Sequence, residues 1–319
     1  MDRLPAFLKK HFLPVGLVGV ALIGLVFPRP GMYMAGLPTQ YLAVSIIFIC
    51  SGMLLRTSEV RTAVSAWKAT AWGCFSVLFL TPLVGILLIF RLPMDPAFQV
   101  GLALFCCVPT TLSSGIALTN QARGNMALAL LLTVLTNTMG IFTVPFVLEQ
   151  LLETAGAVEL SGGDLLLDLC LSILLPLALG RLLQGFLSEW ISRNRARITT
   201  ISSLALISIP WMKFSQSADK LAHTAGASLA LVVLAGVLIH LLYLAINDGA
   251  SRALRLPLEV RKALVLLASQ KSLPVAMTVL AFLPVPPETK GLIAIPCVTS
   301  HLSQIFLDAL LASRWSHAT

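Results

Sequence analysis

Apolar residues fill the chain in long runs, and short clusters of charged and turn-forming residues separate them. A helix needs ~20 residues to cross a ~30 Å hydrocarbon layer, and on that scale the runs predict ten membrane segments. The first five cover about 12–27, 40–55, 67–90, 98–120 and 124–149. The second five cover about 164–187, 199–214, 225–246, 260–283 and 291–312. Segments 1, 2 and 7 are short. The widest gap, 150–163, contains Ser161-Gly162-Gly163 and divides the chain near its middle. Alternating runs of the barrel type are absent. The pattern predicts an all-α polytopic membrane protein.

Two segments are interrupted, half a chain apart. Segment 4 runs through Cys107-Val108-Pro109-Thr110-Thr111-Leu112-Ser113-Ser114-Gly115, and segment 9 through Ser269-Gln270-Lys271-Ser272-Leu273-Pro274. Proline removes a helix hydrogen bond and clashes with the preceding turn. Hydrocarbon does not tolerate the freed backbone groups unless they face protein, water or a ligand. A pair of such breaks in corresponding positions of two halves is the sequence signature of a transporter binding site.

The basic residues support ten crossings. Arg3, Lys9, Lys10, Arg56, Arg61, Lys68, Arg123, Arg181, Arg193, Arg195, Arg197, Arg252, Arg255, Arg261, Lys262 and Arg314 fall on one side, sixteen in all. Arg29, Arg91, Lys213, Lys220 and Lys290 fall on the other, and Lys271 lies inside segment 9. Cytoplasmic loops carry the Lys/Arg excess, so both termini are expected in the cytoplasm. Five segments per half is an odd number, so the second half enters the bilayer from the opposite side. The expected organisation is a five-helix repeat over 1–155 and an inverted one over 156–319, together forming one membrane domain.

Composition agrees. The 319 residues are 57% hydrophobic and 11% charged, with a mean hydropathy of +0.91, where soluble domains average about 25% charged. The net charge of +8 does not indicate nucleic acid, because the basic residues sit in short loops and form no basic domain. All six cysteines fall inside apolar runs and read as buried free thiols rather than disulfides or a metal site. Phe27-Pro28-Arg29-Pro30 follows the first apolar run where a signal peptide would show small residues, so segment 1 reads as a retained helix. The expected location is the cell (inner) membrane.

Four segments carry candidate chemistry. In segment 4, Thr110, Thr111, Ser113 and Ser114 set hydroxyls beside the carbonyls freed by Pro109. Such hard oxygens suit a small cation, and the positive N-terminus of the second half-helix suits an anion. An ordinary proline kink, with Ser and Thr bonding back to their own helix, is the competing reading. In segment 9, Lys271 stands near mid-span with Gln270 and Ser272 beside it. A charge there costs on the order of 2.5–3.5 kcal/mol by insertion scales. No acidic residue lies between Glu259 and Glu288, so compensation must come from elsewhere, with Asp308, Asp168 and the polar groups of segments 4 and 5 as candidates. Snorkelling to an interface is the alternative, and the central position opposes it. In segment 5, Thr133, Thr136 and Asn137 share one helix face, which also fits simple interhelical bonding. In segment 10, His301, Ser303 and Gln304 line up toward a cavity, with Asp308 two turns on. His240 in segment 8 shows no polar neighbours at helical spacing and receives no role. No H-E-x-x-H, phosphate-loop or G-x-S-x-G motif is present. Ser113-Ser114-Gly115 resembles an intramembrane serine nucleophile, but no motif supplies a histidine base. The chain is not read as an enzyme, and no cofactor is expected.

Cys107-Val108-Pro109-Thr110-Thr111, followed by Gln121-Ala122-Arg123-Gly124-Asn125-Met126-Ala127-Leu128 and Thr133, resembles the bile acid:sodium symporter family. Gln270-Lys271-Ser272-Leu273 is closer to its SBF-like branch, which includes the sodium/bile acid cotransporter 7-like proteins. The resemblance implies two inverted five-helix repeats folded into a panel domain (segments 1, 2, 6, 7) and a core domain (segments 3–5 and 8–10). Broken helices 4 and 9 would cross in the core. It implies organic-anion transport by alternating access, with sodium coupling. By motif position Ser113, Ser114 and Thr133 fall near the family's first sodium site, and Thr136 is a further candidate ligand. This chain departs at the second broken helix, where bile acid members carry a sodium-ligating Glu and this chain carries Lys271. A fixed ammonium there either takes the place of a sodium ion or repels one.

The expected function is a symporter-like secondary transporter of a small organic anion. Candidate substrate-binding residues are Lys271, Gln270, Ser272, Thr110, Thr111, Asn137 and His301, and the coupling ion is Na+ or H+. The expected partners are the lipid bilayer and the substrate, with no nucleic acid. The alternative is a non-transporting regulator on the same fold, since animal relatives in this branch are linked to calcium homeostasis.

Overall fold

The computed structural model describes residues 12–55, 66–154, 160–224 and 226–317. Arg3, Lys9, Lys10, Arg56 and Arg61 lie outside the described residues, as does the expected boundary at 155/156.

Helix α1 (Phe12–Val26) bends by 100° into α2 (Pro28–Ala35). The hinge at Phe27 precedes Pro28, which disfavours helical backbone in the residue before it. Helix α3 covers Thr39–Leu54. Segment 3 is α4 (Trp67–Phe75), a π turn (Ser76–Leu80) and α5 (Thr81–Ile89) in unbroken succession. Segment 4 is α6 (Pro96–Cys107) and α7 (Ser114–Gln121). Helix α8 (Met126–Thr154) passes through Pro145. Segment 6 is α9 (Gly162–Leu169), a second π turn (Cys170–Leu174) and α10 (Leu175–Phe186).

Helix α11 (Ser188–Gln216) starts well before the expected 199 and kinks at Asn194. Arg193, Arg195 and Arg197 therefore lie on a helix rather than in a loop. The exposed Glu189–Arg193 pair one turn apart accompanies this extension. Short α12 (Ala218–Ala222) leads to α13 (Gly226–Ala253). Segment 9 is α14 (Leu258–Ser269) and α15 (Leu273–Phe282), and α16 (Pro287–His317) ends the described chain.

The described residues contain helices and no strands. Six stretches are long and apolar enough to cross a membrane: Trp67–Ile89, Met126–Gln150, Gly162–Phe186, Gly226–Ala253, Leu258–Phe282 and Pro287–Ser316. Helices α1 and α2 make a bent seventh. Helices α3 and α6 are apolar but shorter. The protein is an all-α polytopic membrane protein.

The surface inverts the soluble pattern. Leu22, Phe27, Leu42, Leu171, Leu182, Phe186, Leu238 and Phe306 are exposed, while Lys271, Gln270, Asn247 and Asp308 are buried. Lipid as the solvent accounts for both. Segment 9 is the extreme case: 94% of its apolar window is buried inside the protein, against 33% for α13. A segment so enclosed can hold polar side chains that lipid would reject.

Close packing of α3 on α10 needs glycine. A Cβ on Gly52 would collide with the Leu177 carbonyl, and one on Gly180 with the Ile49 carbonyl. Small residues allow such backbone approach between membrane helices, where dispersion rather than the hydrophobic effect drives association.

Candidate functional site

The two breaks meet. Residues 108–113 separate α6 from α7, and residues 270–272 separate α14 from α15. The Ser272 amide donates to the Pro109 carbonyl (2.9 Å). The Thr110 hydroxyl donates to the Leu267 carbonyl (2.5 Å), and Asn137 Nδ2 donates to the Thr110 carbonyl (3.0 Å) and to the Thr133 carbonyl of its own helix (2.8 Å). Gln304 on α16 serves Lys271 on both sides. Its Oε1 accepts the Lys271 amide (3.0 Å), and its Nε2 donates to the Lys271 carbonyl (2.7 Å). Unwound backbone at membrane depth is thus hydrogen-bonded by protein, as hydrocarbon requires.

The turn joining segments 4 and 5 explains its own motif. Arg123 has φ 55°, the Gly124 amide donates to Thr119 (2.8 Å), and the Asn125 amide donates to the Glu259 carbonyl (2.9 Å). Asn125 Oδ1 then accepts from the Leu128 amide (2.9 Å) at the start of α8. The Arg-Gly-Asn turn therefore ties segments 4 and 5 to the start of segment 9.

Lys271 does not snorkel; it is 1% exposed. Its ammonium donates to the Val77 carbonyl on segment 3 (2.9 Å) and lies 5.9 Å from the centre of the Tyr243 ring. The π turn provides this acceptor. The Thr81 amide bonds to the Ser76 carbonyl, five residues back, rather than to Val77. The residue that would continue that register is Pro82, which has no amide hydrogen. Val77 is left without a backbone donor in a buried helix; the Thr81 hydroxyl reaches it only at 3.4 Å, and the ammonium takes the remaining lone pair. π turns recur at functional sites for this kind of reason. Among the described residues Lys271 makes no ion pair. Asp308, a sequence candidate for its partner, binds His240 and Gln270 instead.

Beside Lys271 lies a cavity of about 20 Å³, lined by Phe105, Cys106, His240, Tyr243, Ser269, Ser300, Gln304 and neighbouring apolar residues. That is room for about one water, far less than an organic molecule needs.

The other candidates distribute as follows. Thr111 and Ser114 share a hydrogen bond (2.6 Å), and Ser114 reaches Gln270 Oε1 (3.5 Å). Ser113 is exposed and forms no cap bond. Thr133 donates to the Ala129 carbonyl of its own helix (2.8 Å). The Thr136 hydroxyl, Asn137 Oδ1 and the Ser272 hydroxyl are buried without partners. His301 is buried, accepts at Nδ1 from Gln304 Nε2 (3.0 Å) and meets the Phe105 ring edge-on. The structure brings Gln270, Thr111, Ser114, Lys271 and Gln304 together; Ser113 stands apart.

Segment 8 contributes more than sequence reading assigned. His240, Tyr243 and Asn247 are spaced three and four apart and share a helix face, so polar neighbours at helical spacing were present. Asn247 Oδ1 accepts from Ser76 (2.8 Å) and Trp72 (3.0 Å), and its Nδ2 donates to Ser269 Oγ (3.2 Å). Tyr243 donates to the Thr81 carbonyl (2.5 Å). These bonds join segments 3, 8 and 9.

The sequence matches the SBF-like CPA transporter family over residues 11–317. It is 34% identical to the probable sodium/metabolite cotransporter BASS4, chloroplastic, of Arabidopsis thaliana, over 98% of this chain and 74% of that protein. It is 26% identical to the putative symporter YfeH of Escherichia coli K12 (95% and 92%) and 25% identical to sodium/bile acid cotransporter 7-A of Xenopus laevis (95% and 91%). A match across nearly the whole chain, with both broken helices in place, makes this protein a member of the SBF-like CPA transporter family.

Proposed function

We propose that the protein is a symporter-type secondary transporter of a small organic anion, with the anion attracted to Lys271 at the crossing of the two breaks. One observation carries the reading: a fully buried ammonium with no carboxylate partner among the described residues, held by a single carbonyl beside a cavity. Such a cation is costly in a membrane and offers net positive charge to a ligand. The half-helix N-termini at Ser114 and Leu273 point the same way. Gln270, Ser272, Thr110, Thr111, Asn137 and His301 surround the crossing and would orient the substrate. The cavity has room for only about one water, so substrate entry needs an opening movement. In this reading the panel helices (segments 1, 2, 6, 7) and the core helices (3–5, 8–10) shift relative to each other, as two inverted repeats spanning 1–155 and 156–319.

Relatives named as sodium cotransporters make sodium the first coupling ion to test. The buried hydroxyl of Thr136 has no partner, which leaves a hard oxygen free for a cation; Thr133, Ser113 and Ser114 are the further candidate ligands. The basic-residue asymmetry supports cytoplasmic termini, in a protein this reading places in the cell membrane. The test is uptake of labelled organic anions by proteoliposomes with and without a sodium gradient. Saturable uptake lost in Lys271→Met supports the reading, and equal uptake by the variant opposes it.

A further inference from the structure

His240 on α13 and Asp308 on α16 form a second polar centre, 4% and 0% exposed. His240 Nε2 lies 2.8 Å from Asp308 Oδ1, and Nδ1 lies 3.3 Å from the Ser269 carbonyl. Asp308 Oδ2 accepts from Gln270 Nε2 (2.6 Å). Both ring nitrogens therefore face oxygens. A neutral imidazole has one N–H and one lone pair. Beside an ionised Asp308 it can satisfy only one of its two contacts, and the other sets a lone pair against an oxygen. One additional proton removes the conflict. Either the imidazolium donates to both oxygens, or a protonated Asp308 donates to Nε2 while Nδ1–H donates to Ser269. In both descriptions the pair is uncharged as a whole, and the proton belongs to the pair rather than to one residue.

The position ties this proton to the crossing. Ser269 ends α14, where unpaired carbonyls and the helix dipole favour a positive group. Gln270, bound to Asp308, is the first residue of the break and also meets Ser114 on segment 4. His240 and Ser269 line the water-sized cavity, which gives the proton a polar neighbour. The titratable groups facing the pair are Lys271 across that cavity, Tyr243 on α13, Cys106 on α6 and His301 on α16. Helices α5, α7 and α15 bring none. The charges of α14 lie near its start, where Arg261 pairs with Asp248 and Lys262 donates to Trp315, and Lys213 on α11 donates to Gln216.

We propose that His240 and Asp308 form a proton-binding site that titrates as one unit and whose occupancy sets the geometry of the Gln270–Ser272 break. The test is nitrogen NMR of the full chain, labelled at histidine, in lipid vesicles, with His240→Gln to assign the signals. As pH is raised, Nδ1 of His240 is expected to start with a hydrogen at the acid end and to lose it reversibly in a single step. Asp308→Asn is expected to abolish that step, because the amide can donate to Nε2 and leave Nδ1–H in place at every pH. Asp308→Glu keeps the carboxylate and is expected to keep the step, which preserves a readout should Asp308→Asn not fold. Nδ1 without a hydrogen at the acid end, Nδ1 protonated throughout with no step, or the same step in Asp308→Asn would each overturn the proposal.

Discussion

Replacing Lys271 with Met keeps an unbranched side chain, one heavy atom shorter, and removes the charge and the donor. Its effect on stability is worked from two opposing terms. The ammonium's bond to Val77 is charge-assisted and contributes about 1.5–3 kcal/mol, and the carbonyl left behind would keep only the Thr81 hydroxyl at 3.4 Å, at a cost of about 1–3 kcal/mol. Against this, the variant no longer places a charge at mid-membrane, which relieves about 2.5–3.5 kcal/mol. Together the terms run from about 1 kcal/mol of gain to about 3.5 kcal/mol of loss, so the variant should fold with at most a moderate drop in melting temperature. Binding has no such offset. An anion about 4 Å from the ammonium, at an effective dielectric constant of about 20, gains about 4 kcal/mol. At ~1.4 kcal/mol per tenfold, Lys271→Met should weaken anion binding about a thousandfold. The assays are thermal melting in lipid nanodiscs and concentration-dependent uptake in proteoliposomes. A folded variant with the parent's affinity would refute the role of the ammonium, and a variant that fails to fold would refute the stability estimate.

Two further substitutions probe the frame of the site. Gln304→Leu removes both bonds to the Lys271 backbone; at about 1 kcal/mol for each lost bond plus the desolvation left behind, unfolding by denaturant should show a loss of about 2–4 kcal/mol. A loss below about 1 kcal/mol would mean that water replaces the amide. Gly180→Leu drives a side chain into the Ile49 carbonyl, and overpacking of this kind costs about 1–3 kcal/mol or more; size-exclusion chromatography and melting should show a less stable, less monodisperse protein, whereas Gly185→Leu, with open space around it, should behave as the parent.

Much of the fold was legible because membrane insertion writes itself locally. Run lengths located the segments, and Pro109 and Pro274 located the breaks, because proline's missing amide acts wherever it stands. Burial of Lys271 followed from its central place in an apolar run. Sequence similarity supplied the family, and the residues quoted for it at the Arg123-Gly124-Asn125 turn prove to bridge segments 4, 5 and 9. The unread parts depend on what lies far away in sequence. The Val77 acceptor needs the π turn, and an apolar stretch such as Ser76–Leu80 gives no periodic sign of one. Only Pro82, beside the turn, hinted at a spare carbonyl. Lys271 finds its partner on segment 3, and His240 finds Asp308 two segments on, pairings that no local spacing encodes. The stripe His240-Tyr243-Asn247 has helical spacing, but Asn247 lies one residue past the expected end of segment 8 at 246. Inside a break no helical period holds, so the adjacent hydroxyls differ: Ser113 is exposed, while Ser114 meets Thr111 and Gln270.

The central claim is that the crossing of the two breaks carries organic anions through the membrane with Lys271 as their counter-charge. The most direct measurement is uptake of labelled carboxylates and sulfates by proteoliposomes of the purified protein, under imposed sodium and proton gradients in turn. The account predicts saturable uptake of at least one anion, accelerated by an ion gradient and lost in Lys271→Met. Absence of saturable flux for every anion under both gradients, from protein shown to be folded, would contradict it.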